Sequence, residues 1–187
     1  MDATTFLTQL QQQAQTQQAL VRAEFLPLDA ALLNAKPHAT GWSALECLEH
    51  LNRYCRFYLP HLEKALSAAP ISPGNLPVRY SWIGRKSLAV VDPSSPRKHK
   101  TLRHMNPHNS RLTTAVVDEF LQHQDRLLSL FALAPKADLN QKNIPVEFFR
   151  LLRMRTGEAL EFLLAHQQRH LQQALRAKAQ PTISLVV

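Results

Sequence analysis

Four long segments of this sequence repeat their apolar residues at three- and four-residue steps, and the whole chain has only four glycines. This pattern constrains the fold most, because it gives each segment one apolar face as an α-helix and no consistent face as a strand. The first segment, Thr5 to Phe25, places Phe6, Leu10, Ala14, Gln17 and Val21 on one stripe. Its seven glutamines are good helix formers and read as the solvated face. The second opens at Ser43, where Ser43 and Glu46 form an S-x-x-E capping box, and continues through Leu48, Leu51, Cys55, Tyr58, Leu62 and Leu66. Pro60 is expected to kink or end it. The third runs from Leu112 to Leu133, with Val116, Phe120, Leu127 and Phe131 inward. The fourth is read from Pro145 to Ala177, with Leu152, Thr156, Ala159, Leu163, His166, His170 and Ala174 inward. Four helices of this length imply an all-α four-helix bundle.

The chain of 187 residues is read as a single domain over residues 1–187. A short turn or helix is expected at Asp29–Asn34, before Lys36-Pro37. The stretch from Ser67 to Ser110 carries six of the twelve prolines and is too long for a structureless loop, so a short helix is expected near Ser81–Val91. This long connection permits a crossover that sets the second and third helices parallel. The tail, Pro181–Val187, is expected to be an edge segment or a disordered end.

Charge and cysteine usage narrow the function classes. Between Arg79 and Arg111 there are eight Lys/Arg against one acid, Asp92, so this segment carries +7 of the net +8. It lacks the interleaved aromatics of a nucleic-acid stacking platform and any reader motif, which argues against nucleic acid as the partner. No apolar run is long enough for a membrane span. The first residues, MDATTFLTQLQQQ, show no basic region followed by an apolar one, so no secretory signal is expected. Cys47 and Cys55 lie eight residues apart on one helix, about 12 Å along its axis, too far for a disulfide. They read as small core residues, and a reducing cytoplasm fits.

The chemistry-bearing feature is a set of three histidines. His166 and His170 are spaced i, i+4, so both project from one helix face, and that face is the core stripe. His50 lies seven residues after Ser43, about 10 Å into the second helix, and His170 lies seven residues before Ala177, about 10 Å from the end of the fourth. Antiparallel packing of these two helices brings all three to one level. The alternative is that each is a core histidine satisfied by one hydrogen bond. His104 and His108 share the i, i+4 spacing, but Asn106 and Pro107 oppose a helix there.

W-S-x-x-E-x-x-x-H-L at Trp42–Leu51, with H-x-x-x-H-L-x-Q-A at His166–Ala174, resembles the DinB-like superfamily of small bacterial four-helix bundles. The likeness extends over nearly the whole chain, in helix order and in the long second connection. The resemblance implies a divalent metal held by His50, His166 and His170. It also implies one of several activities: hydrolysis, S-transfer from a low-molecular-weight thiol, or none established. Imidazole ligands suit zinc, nickel or iron(II), and zinc or nickel is the leading expectation. Water at such a site gives a hydrolase and a thiol gives a transferase, so the ligands do not choose between them. A non-enzymatic, metal-stabilised binding module is the other reading.

Further site candidates follow from position. Glu46 is i−4 from His50 and is a candidate base or hydrogen-bond partner of His50, beside its capping role. Glu158 lies two turns before His166 and either faces the interior or pairs with Arg155. Arg169 either holds an anionic group or is solvated. Cys47, i−3 from His50, is a further candidate ligand. Trp42 occupies the hydrophobic-staple position and is expected to pack there. The crossover, with Tyr80, Trp82 and its basic run, is the candidate lid over the metal. The expected partner is a small molecule; leftover apolar positions on the first and third helices would suit a homodimer, but the sequence leaves the oligomeric state and the face open.

Overall fold

A computed structural model describes residues 1–68, 75–97 and 99–179. The tail at Pro181–Val187 lies outside the described residues, as does part of the Ser67–Ser110 connection. The described residues are mostly helical. In chain order they form α1 (Ala3–Glu24), α2 (Ala30–Asn34), α3 (Ala44–Ser67), α4 (Trp82–Val91), α5 (Ala115–Leu133), β1 (Ile144–Val146), β2 (Phe149–Met154) and α6 (Thr156–Ala179). A short 3-10 turn at Arg103–Met105 lies between α4 and α5.

Local signals set most helix starts. Asp2, Asp29 and Ser81 cap α1, α2 and α4 through their side-chain oxygens. Ser43 and Glu46 form both halves of the capping box on α3. Pro60 does not end α3, which runs unbroken to Ser67.

The fourth helix is shorter than its apolar pattern suggests. Residues 144–154 form an antiparallel hairpin, and α6 starts only at Thr156. Leu152, read as an inward helical position, lies on β2 and is exposed. The run Phe148-Phe149-Arg150-Leu151-Leu152 has a spacing that serves either element. Burial of Ile144, Val146 and Met154 favours the hairpin. The start of α6 is fixed by the carbonyls of Gln141 and Leu139, which take the Thr156 and Gly157 N–H groups at 3.0 and 2.9 Å, and by Glu158, which accepts from the Arg155 N–H at 2.8 Å.

The four long helices pack as a ring: α3 against α5 and α6, and α1 against α5 and α6. Polar contacts fix their directions. Asn52 meets Val116, Arg56 meets Glu119 and Glu63 meets Arg126, so α3 and α5 run parallel across the long connection. His50 meets His170 and Tyr58 meets Phe162, so α3 and α6 run antiparallel. The core falls into two clusters: one around Tyr58, Leu59, Leu62 and Leu163, the other around Phe25, Leu48, Phe120 and Leu171. The histidines occupy the α3–α6 seam near the boundary between them. α4 packs on α6, which places the crossover beside that seam.

Candidate metal centre

Antiparallel packing of α3 on α6 brings the three predicted histidines together. One ligand atom from each of His50, His166 and His170 falls within 4.8 Å of the others. Nε2 of His50 and Nε2 of His166 are 3.2 Å apart. Two nitrogens at ordinary zinc distances in a tetrahedral site lie about 3.3 Å apart. The rings are mutually steep, at 76° for His50–His166, 61° for His50–His170 and 88° for His166–His170. His50 and His166 are buried and His170 partly so.

The outer nitrogens decide the tautomers. Nδ1–H of His50 donates to the Met105 carbonyl at 2.7 Å, and Nδ1–H of His170 donates to Oε1 of Gln173 at 2.9 Å. Each bond leaves Nε2 of its ring as a lone pair aimed into the cluster. Nδ1 of His166 has no partner among the described residues. A second proton is disfavoured on all three rings. Burial pulls His50 down to about 4, although the Met105 hydrogen bond acts the other way. Burial, then the neighbouring imidazoles, hold His166 well below the usual histidine range, and burial and His50 do the same to His170. Three converging neutral imidazoles can each turn a lone pair to a cation, so the donor set suits the implied metal.

Aromatic rings frame the cluster. Trp42 stacks on His170 with centroids 5.7 Å apart and lies 4.9 Å from His50. The staple position therefore places it on the imidazoles themselves. Tyr54 packs 4.3 Å from His166 and 5.0 Å from His50. A cleft of about 1170 Å³ opens over the three histidines, between α3, α6 and the crossover. Its apolar wall includes Tyr54, Tyr58 and Phe162, and Lys86, Lys100 and Arg176 line it as well.

The other candidates sit elsewhere or do other work. Glu46 accepts from the Ser43 N–H at 2.9 Å and the Asn109 N–H at 2.5 Å, and pairs with Lys36 at 3.1 Å. Asn109 takes a left-handed φ of 62°, which asparagine tolerates, to deliver that N–H. Glu158 is wholly buried and accepts from the Ser81 N–H, the Ser81 hydroxyl at 3.0 Å and the Arg155 N–H. Neither carboxylate lines the cleft. Arg169 does, but its guanidinium donates to the carbonyls of Asp92 at 2.6 Å, Ser95 at 2.9 Å and Arg97, and so fastens the crossover to α6. The Cys47 thiol is buried, and burial raises its pKa far above the usual thiol value. Cys55 is pushed up to about 12 by the same cause. His104 and His108 part company: His104 reaches Glu147, while His108 lies 3.4 Å from the Lys36 ammonium.

Sequence reasoning misses Met105, Gln173 and Glu147. Gln173 is within its reach, because it stands three residues after His170 on the same helix. Met105 and Glu147 arrive from distant segments and leave no local sign.

No helix among the described residues is long and apolar enough to cross a membrane. No curated protein and no solved structure matches the chain. The sequence profile of the DinB superfamily matches residues 13–174, which takes in both histidine motifs, the whole of α3 and α5, the second half of α1 and most of α6. With the match spanning most of its length and the three histidines gathered on the α3–α6 seam, the chain belongs to the DinB superfamily.

Proposed function

We propose that this protein is a metal-dependent enzyme, a hydrolase or a low-molecular-weight-thiol S-transferase, with His50, His166 and His170 as its ligands. The reading takes the four long helices as the family's four-helix bundle. The observation that carries it is the convergence of three neutral imidazoles at one point beneath an open cleft. Zinc or nickel suits three imidazoles, with iron(II) also compatible. Such an ion keeps its full double charge, makes a water or thiol more acidic and polarises a substrate oxygen. The chain supplies the rest. Met105 and Gln173 orient two of the rings, Trp42 and Tyr54 exclude water from their faces, and the crossover held by Arg169 covers one side. Lys86, Lys100 and Arg176 form no ion pair among the described residues and favour an anionic substrate.

A second reading has an observation of its own. The histidines bridge α3 and α6, so a metal there also staples the bundle and would stabilise a non-enzymatic binding module. Elemental analysis of untagged protein is expected to find about one divalent ion per chain. The double variant His166→Ala/His170→Ala is expected to lose it. Unchanged metal content in that variant removes both readings. A large fall in melting temperature on chelation, with no turnover of thiol–electrophile or ester panels, favours the module.

A further inference from the structure

One buried carboxylate on the cleft wall has half of its hydrogen-bonding capacity unused. Glu147 lies in the turn between β1 and β2, and its side chain is only 4% exposed. Oε1 accepts from Nε2–H of His104, while Oε2 has no partner among the described residues. A buried polar atom left unpaired calls for a water, an ion or a ligand. Glu147 lines the same cleft as His50, Tyr54 and Tyr58, and it is the only acid among the described residues that do so.

Two links tie this carboxylate to the histidines. The 3-10 turn Arg103–Met105 holds both: the Met105 carbonyl takes the His50 N–H, and the neighbouring His104 ring takes Glu147. On the other side, the Glu147 N–H donates to the Tyr58 hydroxyl at 3.3 Å. Tyr54 stands between, packed on His50 and His166. Burial, and secondarily the charge of Glu147, raises its phenol to about 12.

We propose that Oε2 of Glu147 accepts the proton lost by the acidic group of a ligand that binds at the three-histidine site. This rests on the metal-site reading above. In the step, the ligand's O–H or S–H bond breaks, its electron pair stays on oxygen or sulfur, and a new O–H bond forms at Oε2. His104 remains hydrogen-bonded to Oε1, and no redox partner is needed. Glu147 then serves as a catalytic residue in any reaction that begins with that deprotonation.

The test uses acetohydroxamic acid, a weak O–H acid that binds metals as its anion, with the zinc-loaded full chain. Calorimetry at pH 7 in buffers of different ionisation enthalpy counts the protons released. Wild type is expected to retain the proton and release close to none. Glu147→Gln, with zinc content and melting temperature near wild type, is expected to release about one and to bind about 10-fold more weakly. Release of a full proton by wild type overturns the proposal without reference to any variant. So does an equal count in the two proteins, or failure of the zinc-loaded wild type to bind the probe. In each of these cases the zinc content, measured separately, leaves the metal-site reading standing. A wild type that holds no zinc overturns that reading and this one together.

Discussion

Two buried polar clusters sit on α6, about two turns apart, and they are built on opposite terms. At the start of the helix, Glu158 is wholly buried and three donors are aimed at its carboxylate: the Ser81 N–H and hydroxyl and the Arg155 N–H. Gly84 leaves room for the carboxylate, since a Cβ there would collide with it. Further along, His166 and His170 join His50 as neutral imidazoles: Met105 and Gln173 satisfy the outer nitrogens of two rings, and Nδ1 of His166 has no partner among the described residues. Both oxygens of the Glu158 carboxylate are satisfied within the chain. The second cluster is complete only with something added. Burial alone does not separate a structural polar group from a binding site, whereas an inventory of donors and acceptors does.

The comparison can be broken at either end. Glu158→Ala removes three hydrogen bonds to a buried charge and leaves their donors unpaired. It is expected to destabilise the protein by about 3–5 kcal/mol in denaturant titration. At temperatures where that variant stays folded, its metal content should match wild type. Loss of metal in a folded Glu158→Ala protein would falsify the separation of the two clusters. Gly84→Ala acts on the same knot through crowding. A loss of about 1–3 kcal/mol is expected, again without effect on metal stoichiometry.

The histidine cluster sharpens the comparison through pH. The fold holds His50, His166 and His170 below the ordinary histidine value of 6.5. Above that value the imidazoles are neutral in both folded and unfolded chains, and pH has little leverage through them. Below it the unfolded chain takes up protons that the fold excludes. Chelated protein is therefore expected to lose stability as pH falls from 6.5 toward about 4, the value for His50. The slope is about 1.4 kcal/mol per pH unit for each imidazole kept neutral. Thermal melts in chelator across this range measure it, and a flat profile would contradict the burial argument. The smallest effect is expected from His166→Leu in chelator. That change removes a buried ring whose Nδ1 has no partner, so stability should stay within about 1 kcal/mol of wild type while metal binding is lost.

Much of this site is legible in the sequence. His166 and His170 stand at core positions of a helix, where a polar residue needs a reason, and the capping box at Ser43 fixes the depth of His50. The crossover helix is legible too, because Ser81 caps it locally. The start of the fourth helix is not. Arg155, the residue before Thr156, is no capping residue; the first free N–H groups, of Thr156 and Gly157, go to the carbonyls of Gln141 and Leu139, and Glu158 takes the Arg155 N–H. For Arg169 the sequence offers either a solvated or an anion-holding role. Its partners are backbone carbonyls more than seventy residues away, which spacing does not reveal.

The sequence by itself determined which faces of the long helices are buried and that three imidazoles lie on those faces, because helical periodicity and capping act over one or two turns. The tertiary structure alone decided what those imidazoles meet. The Met105 carbonyl sets the His50 tautomer across 55 residues, and Glu147 enters the cleft from a hairpin that helical periodicity conceals. Contacts between distant segments depend on how the whole chain packs, so only the folded molecule shows that the α6 start is closed and the histidine site is open.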